Sequence, residues 1–238
     1  MTPQDPTMPK ALHGRDKDVA WLGFLLLSGL FIANLVTCNL VFRKFFTWDI
    51  GAITFEQSVG LLPYPITFLV TDMISEIYGK RKANLVVLSG LAASIMTLGV
   101  VTLGGWAEAT VWSPVSNEEF DHVFGQTALA VGASMAAYLL AQFIDVRIFH
   151  FWKSMTQGKH LWLRNNLSTI PSQIVDTSTV LVLLCTVGEI GWERFGSLLL
   201  NGVAFKSLVA ALDTPLVYLG VGWMRRRFGL REGQEIEL

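Results

Sequence analysis

Six stretches of this chain stay apolar for about 20 residues, the length at which a helix crosses the hydrocarbon core of a bilayer. They run approximately over 19–42, 61–79, 83–106, 125–150, 166–188 and 197–224. In lipid, backbone N–H and C=O groups must be bonded within the segment or in a closed barrel, so runs of this length are expected to be helices. The expected fold is an all-α integral membrane protein, a six-transmembrane-helix bundle. Composition agrees: 52% of the 238 residues are hydrophobic and 16% are charged, whereas soluble domains carry roughly a quarter charged residues. Mean hydropathy is +0.47. A net charge of −1 supplies no global field for nucleic acid.

The membrane domain is expected over 19–224, between a polar, frayed tail at 1–18 and a second tail at 225–238. The first apolar run is longer than the roughly 7–15-residue core of a signal peptide, so it should remain in the membrane. The segment between the first two stretches, "RKFFTWDIGAITFEQSVG", alternates too irregularly to span and reads as an outer loop with a short hairpin or re-entrant piece. Cys38 and Cys185 both lie in apolar runs without CxxC or Cys/His spacing, which argues against a disulfide or a metal site.

Orientation follows from the cations. With the N-terminus inside, fourteen of the eighteen Lys and Arg fall on the inner side, three (Arg43, Lys44, Arg194) outside, and Lys206 within the last helix. The positive-inside rule then places both termini in the cytoplasm. The loop 107–124, with four acids and no Lys or Arg, agrees with an outer position.

Acids at depth are the unusual feature. In "ITFLVTDMISEIYGKRK" (66–82), Asp72 and Glu76 lie one helical turn apart, where like charges repel. Asp72 precedes Lys80 by eight residues, about 12 Å of helix at 1.5 Å per residue. Asp176 follows Arg164 by twelve residues and Asp213 precedes Arg225 by twelve, about 18 Å in each case. Three acids on three helices are therefore expected to meet near mid-depth. Each ionisable group inside a span costs about 2.5–3.5 kcal/mol on insertion scales, so they should face a shared interior.

Two readings stand for Asp72, Asp176 and Asp213: a substrate or ion site, or a structural polar knot with Lys206 or with Thr and Gln partners. Glu76 either snorkels toward Lys80 or takes part in an inner gate or ion pair. Asp145, before Arg147 and His150, is open between an ion pair or interfacial role and ligand contact. Gln142 and Asp145 ("QFID"), like Gln173 and Asp176 ("QIVD"), share a helix face at i and i+3. An amide and a carboxylate so placed suit a ligand edge with several N–H donors and a carbonyl. Asn34 and Asn39 are weaker candidates at an outer mouth, and Asn165 and Asn166 are expected to cap the fifth helix.

Pro63, Pro65, Pro171 and Pro215 interrupt helical segments, as backbone lining a cavity does. Trp106, Trp112, Trp152, Trp162, Trp192 and Trp223 fall near expected helix ends and read as an interfacial belt. Gly29 with Ala33, and Ala133 with Ala137, are small-xxx-small pairs expected to pack within the bundle.

"PYPITFLVTDMISEIYGKRKA", "AQFIDVRIFHFWK", "GKHLWLRNNLSTIPSQIVDT" and "KSLVAALDTPLVYL" resemble the signature blocks of the queuosine precursor transporter family, within the vitamin uptake transporter group. The resemblance covers residues 20–222. It implies a six-helix protein of the bacterial cytoplasmic (inner) membrane resembling the substrate-binding subunits of energy-coupling-factor transporters. It further implies uptake of the cyano and aminomethyl 7-deazaguanine precursors for tRNA modification. A carboxylate accepts two parallel hydrogen bonds from a guanine-like edge, and Gln or Asn answers its carbonyl. The expected ligand set is Asp72, Gln142, Gln173, Asp176 and Asp213, with Lys206 as charge partner and Asn34 at the mouth.

No GxSxG, HExxH or GxGD string supports a membrane enzyme, and "LDTP" at 212–215 lacks a second aspartyl motif. No cofactor is expected. Without a Walker-type phosphate loop, any ATP dependence needs a separate subunit. A binding subunit working with an ATPase, a carrier for another nucleobase-like molecule, and a homo-oligomer all remain open.

Overall fold

The computed structural model describes residues 8–42, 44–50, 53–125, 128–186, 188 and 190–238. Arg43, residues 1–7 of the N-terminal tail and residues 126–127 of the expected fourth stretch lie outside the described residues. The helices are α1 (Arg15–Val41), α2 (Tyr64–Trp106), α3 (Asn117–Phe124), α4 (Ala128–Met155), α5 (Leu161–Thr186) and α6 (Phe195–Phe228). β1 (Lys10–Ala11) pairs in parallel with β4 (Ile236–Glu237), and β2 (Phe45–Ile50) pairs antiparallel with β3 (Ile53–Ser58). The hairpin thus occupies the loop after the first apolar stretch. Four described helical segments, 15–41, 59–106, 161–186 and 192–228, are long and apolar enough to cross a membrane.

The 43-residue α2 is not a rod. Gly79 has φ 81° and ψ 169°, a conformation essentially confined to glycine. Contacts with α1 show what this break does. Before it, Gly60 packs on Cys38 and Phe42, and Tyr78 Oη donates to Ala20 O at 2.9 Å. After it, Lys82 sits over the Trp21 ring, Gly90 abuts Phe31 and Leu35, and Asn39 Nδ2 donates to Ser94 Oγ at 3.3 Å. The chain therefore runs antiparallel to α1 up to Gly79 and parallel to it afterwards. Two helices, 64–78 and 80–106, meet at a reversal, matching the second and third apolar stretches.

The remaining partners complete an alternating bundle. Tyr64, Thr71 and Glu76 approach Tyr138, Gln142 and Lys153 in order, so the first half of α2 runs parallel to α4. Lys206 and Thr214 of α6 meet Asp176 and Asn166 of α5 in opposite order, so these helices are antiparallel. Residues 10–11 and the C-terminal segment gather at one end of the bundle, where β1 meets β4 and Lys10 Nζ donates to Phe228 O at 2.7 Å. The β2–β3 hairpin lies at the opposite end. Fraying expected through residue 18 is not seen in the described part of the tail: Lys10–Ala11 are held by β4, and α1 begins at Arg15.

Side chains are distributed opposite to those of a soluble domain, where Lys, Glu, Arg and Asp are almost never fully buried unless paired. Leu26, Leu103 and Leu219 are exposed on outer faces, while Glu76, Gln142, Asp145 and Arg164 are 0% exposed inside. This inversion suits a lipid surround. Trp106, Trp112 and Trp192 are exposed toward the hairpin end, and Trp162 and Trp223 toward the other. Gly29 and Ala33 also face outward, and a Cβ at Gly29 would meet nothing within 4 Å. Close packing of α1 comes instead from Gly60 and Gly90. The side chain of Ala133 lies outside the described residues.

Candidate functional site

A cavity lies between α2, α5 and α6, each of which lines it with residues at helical spacing on its inward face. Tyr64, Phe68 and Asp72 come from α2, Asn165, Thr169 and Gln173 from α5, and Lys206, Ala210, Asp213 and Val217 from α6. Its volume, taken as the space open to the centre of a water molecule, is about 20 Å³, room for about one water.

At the hairpin side of the cavity, Lys206 Nζ donates to Asp176 Oδ2 at 2.8 Å and to Thr177 Oγ1 at 3.1 Å. The ammonium also lies 4.4 Å from the centre of the Tyr64 ring. Asp176 stands behind Lys206 rather than in the lining.

Deeper in, Asp72 is 1% exposed, and neither of its oxygens has a hydrogen-bond donor. Asp145 of α4 is likewise fully buried, and its Oδ1 accepts from Ser172 Oγ at 3.2 Å. Asn165 Oδ1 and Gln173 Oε1 are also buried without a donor. Acceptor oxygens without donors are uncommon in native interiors, and four of them belong to three residues lining one cavity.

Toward the tail end the cavity is closed by an ionic knot. Glu76 Oε1 lies 2.6 Å from Arg164 Nη2 and 2.5 Å from Arg225 Nη2, and Glu76 Oε2 lies 3.6 Å from Lys153 Nζ. Lys153 also binds Glu235 of the C-terminal tail at 2.9 Å, and Arg164 Nη1 donates to the carbonyls of Gly158 and Lys159. Four helical segments and the tail are tied at one carboxylate. Of the two positions left open for Glu76 by the sequence, it takes an ion-paired one, with partners on α4, α5 and α6 rather than Lys80–Lys82.

Of the expected ligand set, Asp72, Gln173, Lys206 and Asp213 line the cavity. Gln142 is buried on α4 with Oε1 3.4 Å from Thr71 Oγ1, outside the lining. Asn34 donates to Leu30 O on its own helix at 2.8 Å. Asn39, bonded to Ser94, borders a separate cavity between α1 and the second half of α2.

The sequence pattern of the family described as "Putative vitamin uptake transporter" matches residues 58–220, which include every cavity residue named above. The chain belongs to this family. A "Probable queuosine precursor transporter" of Bacillus subtilis (strain 168) is 25% identical over 199 residues, 83% of this chain and 80% of the relative. A "Queuosine precursor transporter" of Escherichia coli (strain K12) is 24% identical over 132 residues, 54% of this chain and 55% of the relative. No solved structure matches the chain.

The protein is thus a multi-pass membrane transporter of the vitamin uptake family, not an enzyme. Three parts of this transporter's interior escaped the sequence reading. Asn165, expected as a cap, lies in the second turn of α5, because that helix starts at Leu161 rather than near 166. Arg164, counted as a cationic edge, is buried for the same reason. Tyr64, beneath Lys206, was not singled out. A signal for Asn165 did exist: Asn165, Thr169 and Gln173 recur at i, i+4 and i+8, a polar stripe on one face of an apolar helix.

Proposed function

We propose that this transporter carries 7-deazaguanine precursors of queuosine, 7-cyano-7-deazaguanine or its 7-aminomethyl form, across the bacterial inner membrane into the cytoplasm. The reading uses six crossings, counting the two halves of α2 and α4, with both termini cytoplasmic. It is supported by the cations gathered at the tail end and by the names of the two relatives.

The observation that carries the substrate reading is the set of donorless acceptors. Asp72 offers two carboxylate oxygens, the arrangement that a ring N–H and an exocyclic amine engage in parallel. Asn165 and Gln173 add amide oxygens for further N–H groups, and their NH₂ groups can answer the ring carbonyl. Phe68 and Tyr64 give the base flat apolar surface. Because the cavity holds about one water, a bicyclic base requires α2, α5 and α6 to separate. The Glu76 knot is the barrier on the cytoplasmic side in this conformation.

Uptake of labelled 7-cyano-7-deazaguanine by bacterial cells that lack their own precursor transport tests the reading. Expression of this protein alone should give saturable uptake, reduced at least tenfold by Asp72→Asn at equal membrane abundance. Binding without uptake would instead indicate an ATPase partner. Absence of both binding and uptake would overturn the substrate assignment.

A further inference from the structure

Asp213 lines the cavity, yet recognition of a guanine-like edge by Asp72, Asn165 and Gln173 gives it no task. It shares one face of α6 with Lys206, Ala210 and Val217, at the spacing of successive helical turns. The residue is half-buried. Among the described residues, no hydrogen bond or ion pair joins its carboxylate to a partner.

Contacts on either side of Asp213 fix its level in the bundle. Lys206 Nζ meets Thr177 Oγ1 at 3.1 Å, Thr214 Oγ1 meets Asn166 Nδ2 at 3.0 Å, and Tyr218 Oη accepts from the Trp162 N–H at 3.1 Å. Asp213 is therefore opposite the turn of α5 that carries Asn165 and Thr169 into the cavity. On α2, Tyr64 lies beneath Lys206 and Glu76 binds Arg225, so the two helices run parallel and Asp213 falls near the level of Phe68. Asp72 lies one turn further toward the tail end, about 6 Å of helix rise, comparable to the span of a bicyclic base. Lateral separation of α2, α5 and α6, which such a base requires, leaves these levels unchanged.

The neighbouring cations are engaged elsewhere. Lys206, the cation among the described lining residues, lies seven residues back along α6 and is held by Asp176 at 2.8 Å. Lys153 of α4, Arg164 of α5 and Arg225 of α6 are gathered on Glu76 at the tail end. The cavity thus meets its ligand with two acids, Asp72 and Asp213, and a lysine already neutralised from behind. A ligand that brings a positive charge to Asp213 completes the balance. A neutral one desolvates the carboxylate without compensation.

The two queuosine precursors share their N–H, amine and carbonyl edge and differ in the 7-substituent, on the other side of the bicycle. The cyano group is neutral and has no donor. The aminomethyl group is a primary amine, protonated near neutral pH as lysine is, with three N–H donors. We propose that Asp213 is the specificity-determining residue: its carboxylate binds the ammonium of the 7-aminomethyl form, so that the transporter prefers this precursor to the 7-cyano form. The inference rests on the reading of the cavity as a 7-deazaguanine site. Asp72 engages the edge common to both precursors and adds affinity without choosing between them.

The test is competition against labelled 7-cyano-7-deazaguanine on the purified protein in lipid nanodiscs. The competitors are 7-aminomethyl-7-deazaguanine and 7-hydroxymethyl-7-deazaguanine, a neutral analogue of the same size. The wild type should bind the aminomethyl form about 10- to 150-fold more tightly than the hydroxymethyl analogue, the worth of a hydrogen bond to a charged group. Asp213→Asn should abolish that advantage without lowering affinity for the cyano form, and Asp213→Glu should keep part of it. Asp72→Asn should weaken all three ligands alike. Asp213→Ser, a second neutral replacement, is read in the same way as Asp213→Asn.

Equal wild-type affinity for the aminomethyl and hydroxymethyl compounds, or an advantage that survives both neutral replacements, overturns the assignment, while saturable cyano binding leaves the substrate reading standing. Loss of all three ligands in folded Asp213→Asn and Asp213→Ser overturns it too, because the residue would then serve every ligand equally. Absence of saturable wild-type binding by any of the three overturns the substrate reading and this inference with it.

Discussion

Lys206 Nζ stands 2.8 Å from Asp176 Oδ2, joining α6 to α5 at the hairpin side of the cavity. Both groups are buried, so removing one leaves the other charge uncompensated. Lys206→Met should lower stability by about 3–5 kcal/mol, read as a lower midpoint of thermal unfolding in detergent. Adding Asp176→Asn should recover most of that loss, since the double variant strands no charge. A double-mutant cycle measures the coupling directly. Additive losses would show that the two charges do not stabilise each other.

At the tail end, Glu76 is the shared partner of three cations. Glu76→Gln should therefore destabilise more than either Arg164→Gln or Arg225→Gln. Arg164→Gln should in turn cost more than Arg225→Gln, because the Arg164 side chain is fully buried whereas that of Arg225 is 18% exposed. Breaking a buried pair costs about 3–5 kcal/mol. Thermal unfolding of the three variants gives the order, and an Arg225 loss equal to that of Glu76 would contradict the hub.

The reversal in α2 depends on Gly79. An alanine there would have to keep φ 81°, and its Cβ would run into Glu235 Oε2. Gly79→Ala should cost about 1–3 kcal/mol from backbone strain alone, with a further loss from displacing the C-terminal tail. Glu235→Ala in the Gly79→Ala background should restore only the second part. Full restoration would mean that contact, not backbone conformation, fixes the glycine.

Outside the membrane, Ser116 and Glu119 form a capping box at the start of α3, with Glu119 Oε2 accepting from the Ser116 N–H at 2.8 Å. That hydrogen bond, with a second from the Ser116 hydroxyl, holds the Glu119 carboxyl below its ordinary value. A group with a lowered folded value contributes stability above its unfolded value and loses it as pH falls through the folded one. Hydrogen-exchange protection of the α3 amides, corrected for intrinsic rates, should fall as pH drops below the usual carboxylate range. Ser116→Ala should remove only part of that dependence, because the backbone N–H of residue 116, the larger cause, remains.

Most of the architecture was legible because lipid leaves few choices: a long apolar run must be a helix, and cations mark one side. Gly79 shows why the second and third stretches separate, since "YGKRK" joins a glycine to a cationic block at a bundle end. The cavity was half legible. Asp72, Gln173, Lys206 and Asp213 stood out as polar residues at depth, whereas Asn165 and Arg164 were hidden by a five-residue error in where α5 begins. Partner choice was not legible at all. Glu76 bonds residues 88 and 149 positions away in preference to its cationic neighbours, because only packing decides which helix faces which.

The most direct test of the central claim is equilibrium binding of radiolabelled 7-cyano-7-deazaguanine to the purified protein in lipid nanodiscs, compared with Asp72→Asn. A hydrogen bond to a charged group is worth about 1.5–3 kcal/mol. The account therefore predicts saturable wild-type binding, weakened about 10- to 150-fold by the substitution. Absence of saturable binding, or equal affinity in a folded Asp72→Asn protein, would contradict it.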